Sequence, residues 1–91
     1  MLDVIWRPEA QAALYDLVGY ISEHDPAAAR RMLHRILESM EPARVYPNFG
    51  RIGRVAGTRE AIAHPNYIVI YRVHPHAVEV LDVVHARQQY P

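Results

Sequence analysis

Six polar side chains in the C-terminal half of this sequence are of the types that can cleave RNA without a metal ion. In that reaction a base removes the 2′-hydroxyl proton, an acid protonates the leaving oxygen, and an arginine stabilises the charged phosphorane. Histidine, glutamate and arginine side chains can supply these three roles. The candidates are Arg59, Glu60, Arg72, His85, Arg87 and Tyr90. They can form a site only if the fold brings them together.

The last predicted strand, residues 77–85, determines which of these groups can meet. Side chains alternate between the two faces of an extended strand. Strict alternation therefore predicts one face that carries Glu79, Leu81, Val83, His85 and Arg87. The alternative interpretation is purely structural: Arg72 pairs with Glu79 or Asp82 across the hairpin, and His85 caps the end of the sheet.

The remaining reactive residue types do not predict a metal site or a nucleophile. The two histidines that are close in sequence, His74 and His76, flank a turn proline, and no carboxylate stands at ligand spacing. The chain contains no cysteine, which excludes disulfides, thiolate catalysis and cysteine-based zinc sites. Motifs of a nucleophilic serine and of a phosphate-binding loop are also missing. We therefore expect no metal ion and no cofactor.

The N-terminal half predicts two helices that pack side by side. An apolar stripe with helical spacing follows Pro8 and ends near His24. Asp25 is a good N-cap, Pro26 fits the first turn, and a second apolar stripe runs from there to Met40. Because the connection is so short, the two helices are expected to form an antiparallel hairpin.

Strand patterns occupy both ends of the chain. Residues 2–6 predict a first strand, and a proline- and glycine-rich loop follows the helices. Four more strands are predicted at 53–57, 58–63, 66–73 and 77–85, the last two joined by a turn at Pro75. The order β-α-α-β-β-β-β predicts an α+β fold with a helical hairpin packed on a mostly antiparallel sheet. With 91 residues, the chain is expected to be a single domain, 1–91.

The net charge of zero hides a basic middle third. All ten basic residues are arginines, and seven of them lie between residues 30 and 59, against only Glu38 and Glu41. Arginine suits bidentate contact with a carboxylate or a phosphate, although a genome bias for arginine over lysine explains the composition equally well. Because no apolar run of membrane length and no signal-peptide pattern occurs, we expect a cytoplasmic protein.

Three segments together resemble the RelE/ParE family of toxins from bacterial type II toxin–antitoxin systems. They are "GRVAGTRE" (53–60), the strand Tyr67–Val73, and "VVHAR" (83–87). The resemblance covers nearly the whole chain. It implies a toxin that a cognate antitoxin neutralises, and it leaves two activities to choose between. RelE-type members cleave mRNA in the ribosomal A site, whereas ParE-type members inhibit DNA gyrase.

The details of the resemblance favour the ParE branch. RelE-like nucleases generally carry an arginine just after the aromatic residue that opens the central strand, and this chain has Ile68 there. The chain stops at Pro91, so Tyr90 lies closer to Arg87 than a nuclease tyrosine would. We therefore expect gyrase poisoning without a catalytic residue, with His85, Arg87 and Tyr90 contacting the target. The alternative is a metal-independent endoribonuclease that uses the six polar residues named first.

The same resemblance implies a protein partner. The disordered C-terminal segment of an antitoxin is expected to fold onto the helical hairpin, with its acidic residues against arginines. The arginines expected to bind it are Arg30, Arg31, Arg35, Arg44, Arg51 and Arg54. Operator DNA would be contacted only through the antitoxin, and no membrane is expected as a partner. A copy that has lost its toxicity and only binds an antitoxin is a further alternative.

Overall fold

Five strands form one sheet in the computed structural model, which describes all residues from 1 to 91. Their order across the sheet is β1-β5-β4-β3-β2, with β1 parallel to β5 and every other pair antiparallel. The elements are β1 (Asp3–Trp6), α1 (Pro8–Ser22), α2 (Pro26–Ser39), a short 3₁₀ helix (Glu41–Arg44), β2 (Arg51–Ile52), β3 (Arg59–His64), β4 (Tyr67–Val73) and β5 (Ala77–His85). The predicted α+β class and element order are thus confirmed.

The two helices begin where the sequence predicts. Pro8 opens α1, and the Asp25 carboxylate caps α2 by accepting a hydrogen bond from the Ala28 amide at 3.1 Å. The helices cover one face of the sheet, hereafter the helix side, through a core that includes Ala10, Leu14, Ile36, Met40, Val69, Tyr71, Val78 and Val80. Neither helix has the length and apolar character needed to cross a bilayer.

The predicted strand at 53–57 is wrong, because these residues form the hairpin turn between β2 and β3. The Gly53 amide donates to the Thr58 carbonyl at 2.8 Å, and the Thr58 amide donates to the Val55 carbonyl at 3.1 Å. Gly57 has φ of +80°, in the left-handed region that favours glycine. The glycines that delimit "GRVAG" therefore specify a turn, and the short partner strand is Arg51–Ile52.

A bulge in β5 makes the prediction of strict alternation wrong. Ile70 pairs with Asp82, but the next residue of β4, Tyr71, pairs with Val80, so one extra residue is inserted in β5. As a result Val80 and Val83 both pack on the helix side, whereas Leu81 and Val84 pack on the other face, the outer face. Glu79 and Val83 therefore point to opposite faces.

The outer face carries a second apolar cluster that no helix covers. Ile68, Ile70 and Val84 are buried there, and Leu81, Ala86 and Tyr90 pack against them. The C-terminal tail thus folds back over this face of the sheet. Burial on both sides explains why residues 67–71 form a nearly continuous apolar run.

Candidate functional site

We call residues 85–91 the C-terminal edge. It begins where β5 ends at His85 and the chain turns back. The His85 carbonyl accepts from the Gln88 amide at 2.9 Å, and its ring Nδ1 accepts from the Arg87 amide at 3.1 Å. The ring also contacts Tyr67 edge-on, with the centroids 5.4 Å apart. Arg87 is exposed, and its guanidinium makes no hydrogen bond or ion pair within the chain. Of the three expected target contacts, Arg87 is thus the most available to a partner.

Tyr90 lies against the outer face and is held there by Arg54. The Arg54 guanidinium carbon is 4.5 Å from the centre of the Tyr90 ring, and Arg54 Nη1 donates to the Gln88 carbonyl at 3.2 Å. The Tyr90 hydroxyl is buried without a hydrogen-bond partner. The structure therefore joins an expected target contact, Tyr90, to an expected antitoxin contact, Arg54.

The six residues considered for RNA cleavage do not converge. Arg59 lies opposite Tyr71 in the sheet, whereas His85 lies opposite Tyr67, four residues away along β4. That separation is about 13 Å along the strand. Glu60 is adjacent to Arg59 in β3. Its side chain points to the outer face beside Ile70, away from the side chains of Arg59 and His85. Among these six residues, no acid, base and arginine meet around a common point.

Two of the six side chains are already engaged with the protein itself. Arg59 Nη1 donates to the carbonyls of Gly50 at 2.8 Å and Asn48 at 3.2 Å. Glu60 is only 3% exposed, and its Oε1 accepts from Arg51 Nε at 2.6 Å, while Oε2 is buried without a partner. Both groups therefore stabilise the region around β2 in this structure.

The expected pairing of Arg72 with Glu79 or Asp82 is not formed. Arg72 faces Glu79 in the register, but it makes no ion pair or hydrogen bond, and its Nη1 lies close to Gly57. Glu79 instead contacts His74 Nε2 at 2.8 Å and Arg7 Nη1 at 3.1 Å. These two neighbours, His74 first, hold the pKa of the Glu79 carboxyl below its ordinary value. The Asp82 carboxylate accepts from the Val83 amide.

The six arginines expected to bind an antitoxin do not form one surface. Arg30, Arg31 and Arg35 are exposed on α2, and the last two line a groove of about 370 Å³ with Ala28, Met32 and His64. Arg35 also donates to the Ala63 carbonyl at 2.9 Å. Three others lie elsewhere: Arg44 in the 3₁₀ helix, Arg51 in β2 beside Glu60, and Arg54 at the tail. Of the six, only Arg30, Arg31 and Arg35 lie on the helical hairpin.

A feature that sequence reasoning treated only as a loop is the segment 45–52. The Tyr71 hydroxyl donates to the Pro47 carbonyl at 2.8 Å and accepts from the Gly50 amide at 2.9 Å. Burial raises the pKa of this hydroxyl, which stays protonated and able to donate. The available signal was the presence of four large apolar residues, Val45, Tyr46, Phe49 and Ile52, in a stretch that also contains proline, asparagine and glycine.

Comparison with known proteins identifies the family. The family model described as the ParE toxin of the type II toxin–antitoxin system parDE matches residues 4–90. Y4kP of Sinorhizobium fredii is 40% identical over 87 residues, which cover 94% of this chain and 90% of that protein. Toxin RelE2 of Caulobacter vibrioides is 33% identical over 86 residues, covering 94% and 97%.

Solved structures show the same fold. The chromosomal ParDE system from P. aeruginosa contains a chain that superposes with a TM-score of 0.81 at 22% identity, covering 93% of this chain and 96% of that one. The YoeB/ParE toxin from Agrobacterium tumefaciens gives 0.63 at 18% identity, covering 92% and 98%. On the family match and the two relatives, this chain belongs to the ParE toxin family of type II toxin–antitoxin systems.

Proposed function

We propose that this toxin acts in the cytoplasm by binding and poisoning DNA gyrase, and that a cognate antitoxin neutralises it. The observation that carries the choice of a binding mechanism is the position of Ile68. This residue is 2% exposed inside the outer apolar cluster, at the position where RelE-like nucleases generally have an arginine. The dispersed positions of the six polar side chains support the same choice.

The C-terminal edge is the proposed contact with the target. The free guanidinium of Arg87 can form a bidentate pair with a carboxylate of another protein, and His85 presents its ring beside it. Tyr90 contributes by its position, because it seats the tail on the outer face with Arg54. Binding through this edge requires no bond to be made or broken.

The antitoxin is proposed to lie along the helical hairpin. Arg31 and Arg35 line the groove beside α2, and Leu37 on the same helix is 43% exposed. An extended acidic segment with a few apolar side chains fits these groups. Solved relatives of the same fold include a YoeB–YefM complex from Staphylococcus aureus, with a TM-score of 0.61. If charge contributes as proposed, the complex weakens as the salt concentration rises.

A supercoiling assay with purified gyrase tests the proposed target. The wild-type toxin should block supercoiling, and His85→Ala combined with Arg87→Ala should weaken the inhibition about tenfold. The matched control combines His34→Ala with Arg30→Ala, which removes an exposed histidine and an exposed arginine from α2. No inhibition by the wild type contradicts the gyrase proposal. Equal inhibition by the edge variant and the control contradicts the proposed contact.

Ribosome-dependent mRNA cleavage is the second candidate, favoured by the relative named Toxin RelE2. Its test is to induce the toxin and map the 5′ ends of cellular mRNA. Cuts in phase with codons would support the nuclease. Blocked supercoiling with DNA breaks and no phased cuts would support gyrase poisoning.

A further inference from the structure

Four large apolar side chains project into solvent from the segment between the 3₁₀ helix and the β2–β3 turn. We name them the apolar ridge: Val45, Tyr46, Phe49 and Ile52. Tyr46 is 70% exposed and Ile52 is 80% exposed, while Val45 and Phe49 are 56% and 42% exposed. Single exposed apolar residues are common, whereas exposed apolar residues that form one patch are typical of an interaction surface.

The ridge is held rigidly, although most of it is irregular backbone. Tyr71 and Arg59 together make four hydrogen bonds to the carbonyls and amides of residues 47, 48 and 50. The Phe49 ring stacks on the Tyr71 ring with the centroids 5.8 Å apart and the planes 15° from parallel. A surface that is fixed before binding loses little conformational entropy when a partner docks.

Gly50 allows this segment to approach the sheet closely. A Cβ atom at Gly50 would lie 2.7 Å from both the Glu60 carbonyl oxygen and the Tyr71 hydroxyl oxygen. Only glycine fits there without a shift of backbone. The sequence thus keeps the segment pressed on Tyr71 while its large apolar side chains remain outside.

Charge beside the ridge indicates what the partner carries. A groove of about 620 Å³ adjoins the ridge and is lined by Leu2, Arg44, Val45, Pro47, Val73 and Pro75, among others. The Arg44 side chain is 36% exposed, and its guanidinium has one distant ion pair, 3.9 Å from Glu41, while its Nε is buried without a partner. A carboxylate in this groove would pair with the exposed part of the guanidinium. On the other side of the ridge the charge of Arg51 is already offset by Glu60.

We infer that the apolar ridge and the Arg44 groove form a second docking surface, whose occupant is a folded protein with an apolar cleft and a carboxylate at its rim. A protein is favoured over nucleic acid, because the projecting groups include aliphatic side chains and the groove beside them is lined by a single arginine, Arg44. The inference rests on the proposed function in one respect, because it takes the occupant to be the toxin's target. The ridge adjoins the Tyr71–Val73 end of β4, the opposite end from His85. It is therefore separate from His85, whereas Tyr90 contacts Arg54, two residues beyond the ridge residue Ile52.

The test is a ridge variant, Tyr46→Ser combined with Ile52→Ser, which leaves Phe49 on Tyr71. Its matched control is Tyr15→Ser combined with Ile62→Ser, since these residues are 66% and 60% exposed on other elements. The measurements are growth arrest on induction, binding to purified gyrase, binding to plain duplex DNA, co-purification with co-expressed antitoxin, and thermal unfolding. The ridge variant should fold, retain the antitoxin and lose at least about tenfold in gyrase binding and growth arrest. The control should retain both.

Three outcomes overturn the inference: growth arrest equal to that of the control, loss of antitoxin binding by the ridge variant, or loss of binding to plain duplex DNA by that variant. The second would place the antitoxin on the ridge, and the third would make the occupant a nucleic acid. If the wild type does not bind gyrase while growth arrest still depends on the ridge, the gyrase proposal fails and the docking surface stands.

Discussion

The guanidinium carbon of Arg54 lies 4.5 Å from the centre of the Tyr90 ring, so the β2–β3 turn holds the C-terminal tail on the sheet. The Arg54 side chain also donates to the Gln88 carbonyl. Under the tail lie Ile68, Ile70 and Val84, which no helix covers on that face. The tail is therefore part of the second core, and its order depends on a residue more than thirty positions earlier.

Arg54→Ala is predicted to loosen the tail. The cation–π contact contributes about 0.5–1 kcal/mol at an exposed site, and a hydrogen bond about 1 kcal/mol more. We expect the free energy of unfolding to fall by about 1–2 kcal/mol. Hydrogen exchange at the Gln88 amide, which donates to the His85 carbonyl, should accelerate.

Arg30→Ala is the matched control for the tail, since Arg30 is an exposed arginine on α2 without a hydrogen bond. Its effect should stay within about 0.5 kcal/mol. Unchanged exchange at Gln88 in the Arg54 variant would show that apolar packing alone seats the tail.

Tyr71→Phe is predicted to destabilise the protein and to weaken the apolar ridge. The substitution removes the hydroxyl that links Pro47 and Gly50, which leaves a carbonyl and a buried amide without that partner. The expected loss in the free energy of unfolding is about 1–3 kcal/mol, measured by urea denaturation. Tyr15→Phe, at a tyrosine that is 66% exposed on α1, should change stability by less than about 0.5 kcal/mol.

Tyr71→Phe should also weaken gyrase binding, because the Tyr71 hydroxyl holds the apolar ridge in place. At a temperature where Tyr71→Phe is fully folded, its lower stability does not reduce the amount of folded toxin. The variant should nevertheless bind gyrase more weakly than the wild type. Binding equal to that of the wild type under those conditions would mean that the hydroxyl does not contribute to ridge rigidity.

The helices and the order of elements along the chain were predictable because their signals are local. Pro8, Asp25 and Pro26 fix where each helix starts, and the apolar stripes indicate which side meets the sheet. The valine-, isoleucine- and tyrosine-rich strands β4 and β5 were equally clear. Each of these signals lies within a few residues of the structure that it specifies.

The errors concern features that depend on distant contacts. The bulge in β5 lets Leu81 and Val83 pack on opposite faces of the sheet. No residue type within the strand predicts it. Tyr90 was predicted to contact the target, which stays a prediction. Its packing on the outer face could not be predicted, because its packing partners belong to β4 and β5. The candidate site was therefore predictable as a set of residues, whereas the separation of Arg59 and Glu60 from His85 needed the register of three strands.

Removal of Arg51 is predicted to destabilise the fold, because it leaves the buried Glu60 carboxylate without its ion-pair partner. The carboxylate is 3% exposed and would keep no charged partner, whereas Arg51 itself is 52% exposed. Arg51→Ala should lower the free energy of unfolding by about 1–3 kcal/mol. Adding Glu60→Gln should restore part of the loss, since burying a neutral amide costs less than burying an unpaired carboxylate. A double-mutant cycle measures this coupling, and purely additive effects would mean that solvent already screens the pair.

The interactions of Glu79 predict how stability depends on pH. Its pKa is lowered from the ordinary 4.5 by His74 and then by Arg7, so the folded protein holds the Glu79 proton less tightly than the unfolded chain does. A lowered carboxyl pKa stabilises the fold at pH values above the ordinary pKa, and the contribution disappears as the pH falls through the folded value. Glu79→Gln should therefore be less stable than the wild type near neutral pH.

The difference in the free energy of unfolding between Glu79→Gln and the wild type should disappear at acidic pH. Urea denaturation at about pH 7 and at about pH 3 measures it, because the ordinary pKa of 4.5 lies between these conditions and the folded pKa lies below it. Glu23→Gln is the control, since the Glu23 side chain is exposed and makes no hydrogen bond. A gap that persists unchanged at the lower pH would mean that the substitution disturbs packing on β5, and that the charge of Glu79 does not stabilise the end of the sheet where β1, β4 and β5 meet.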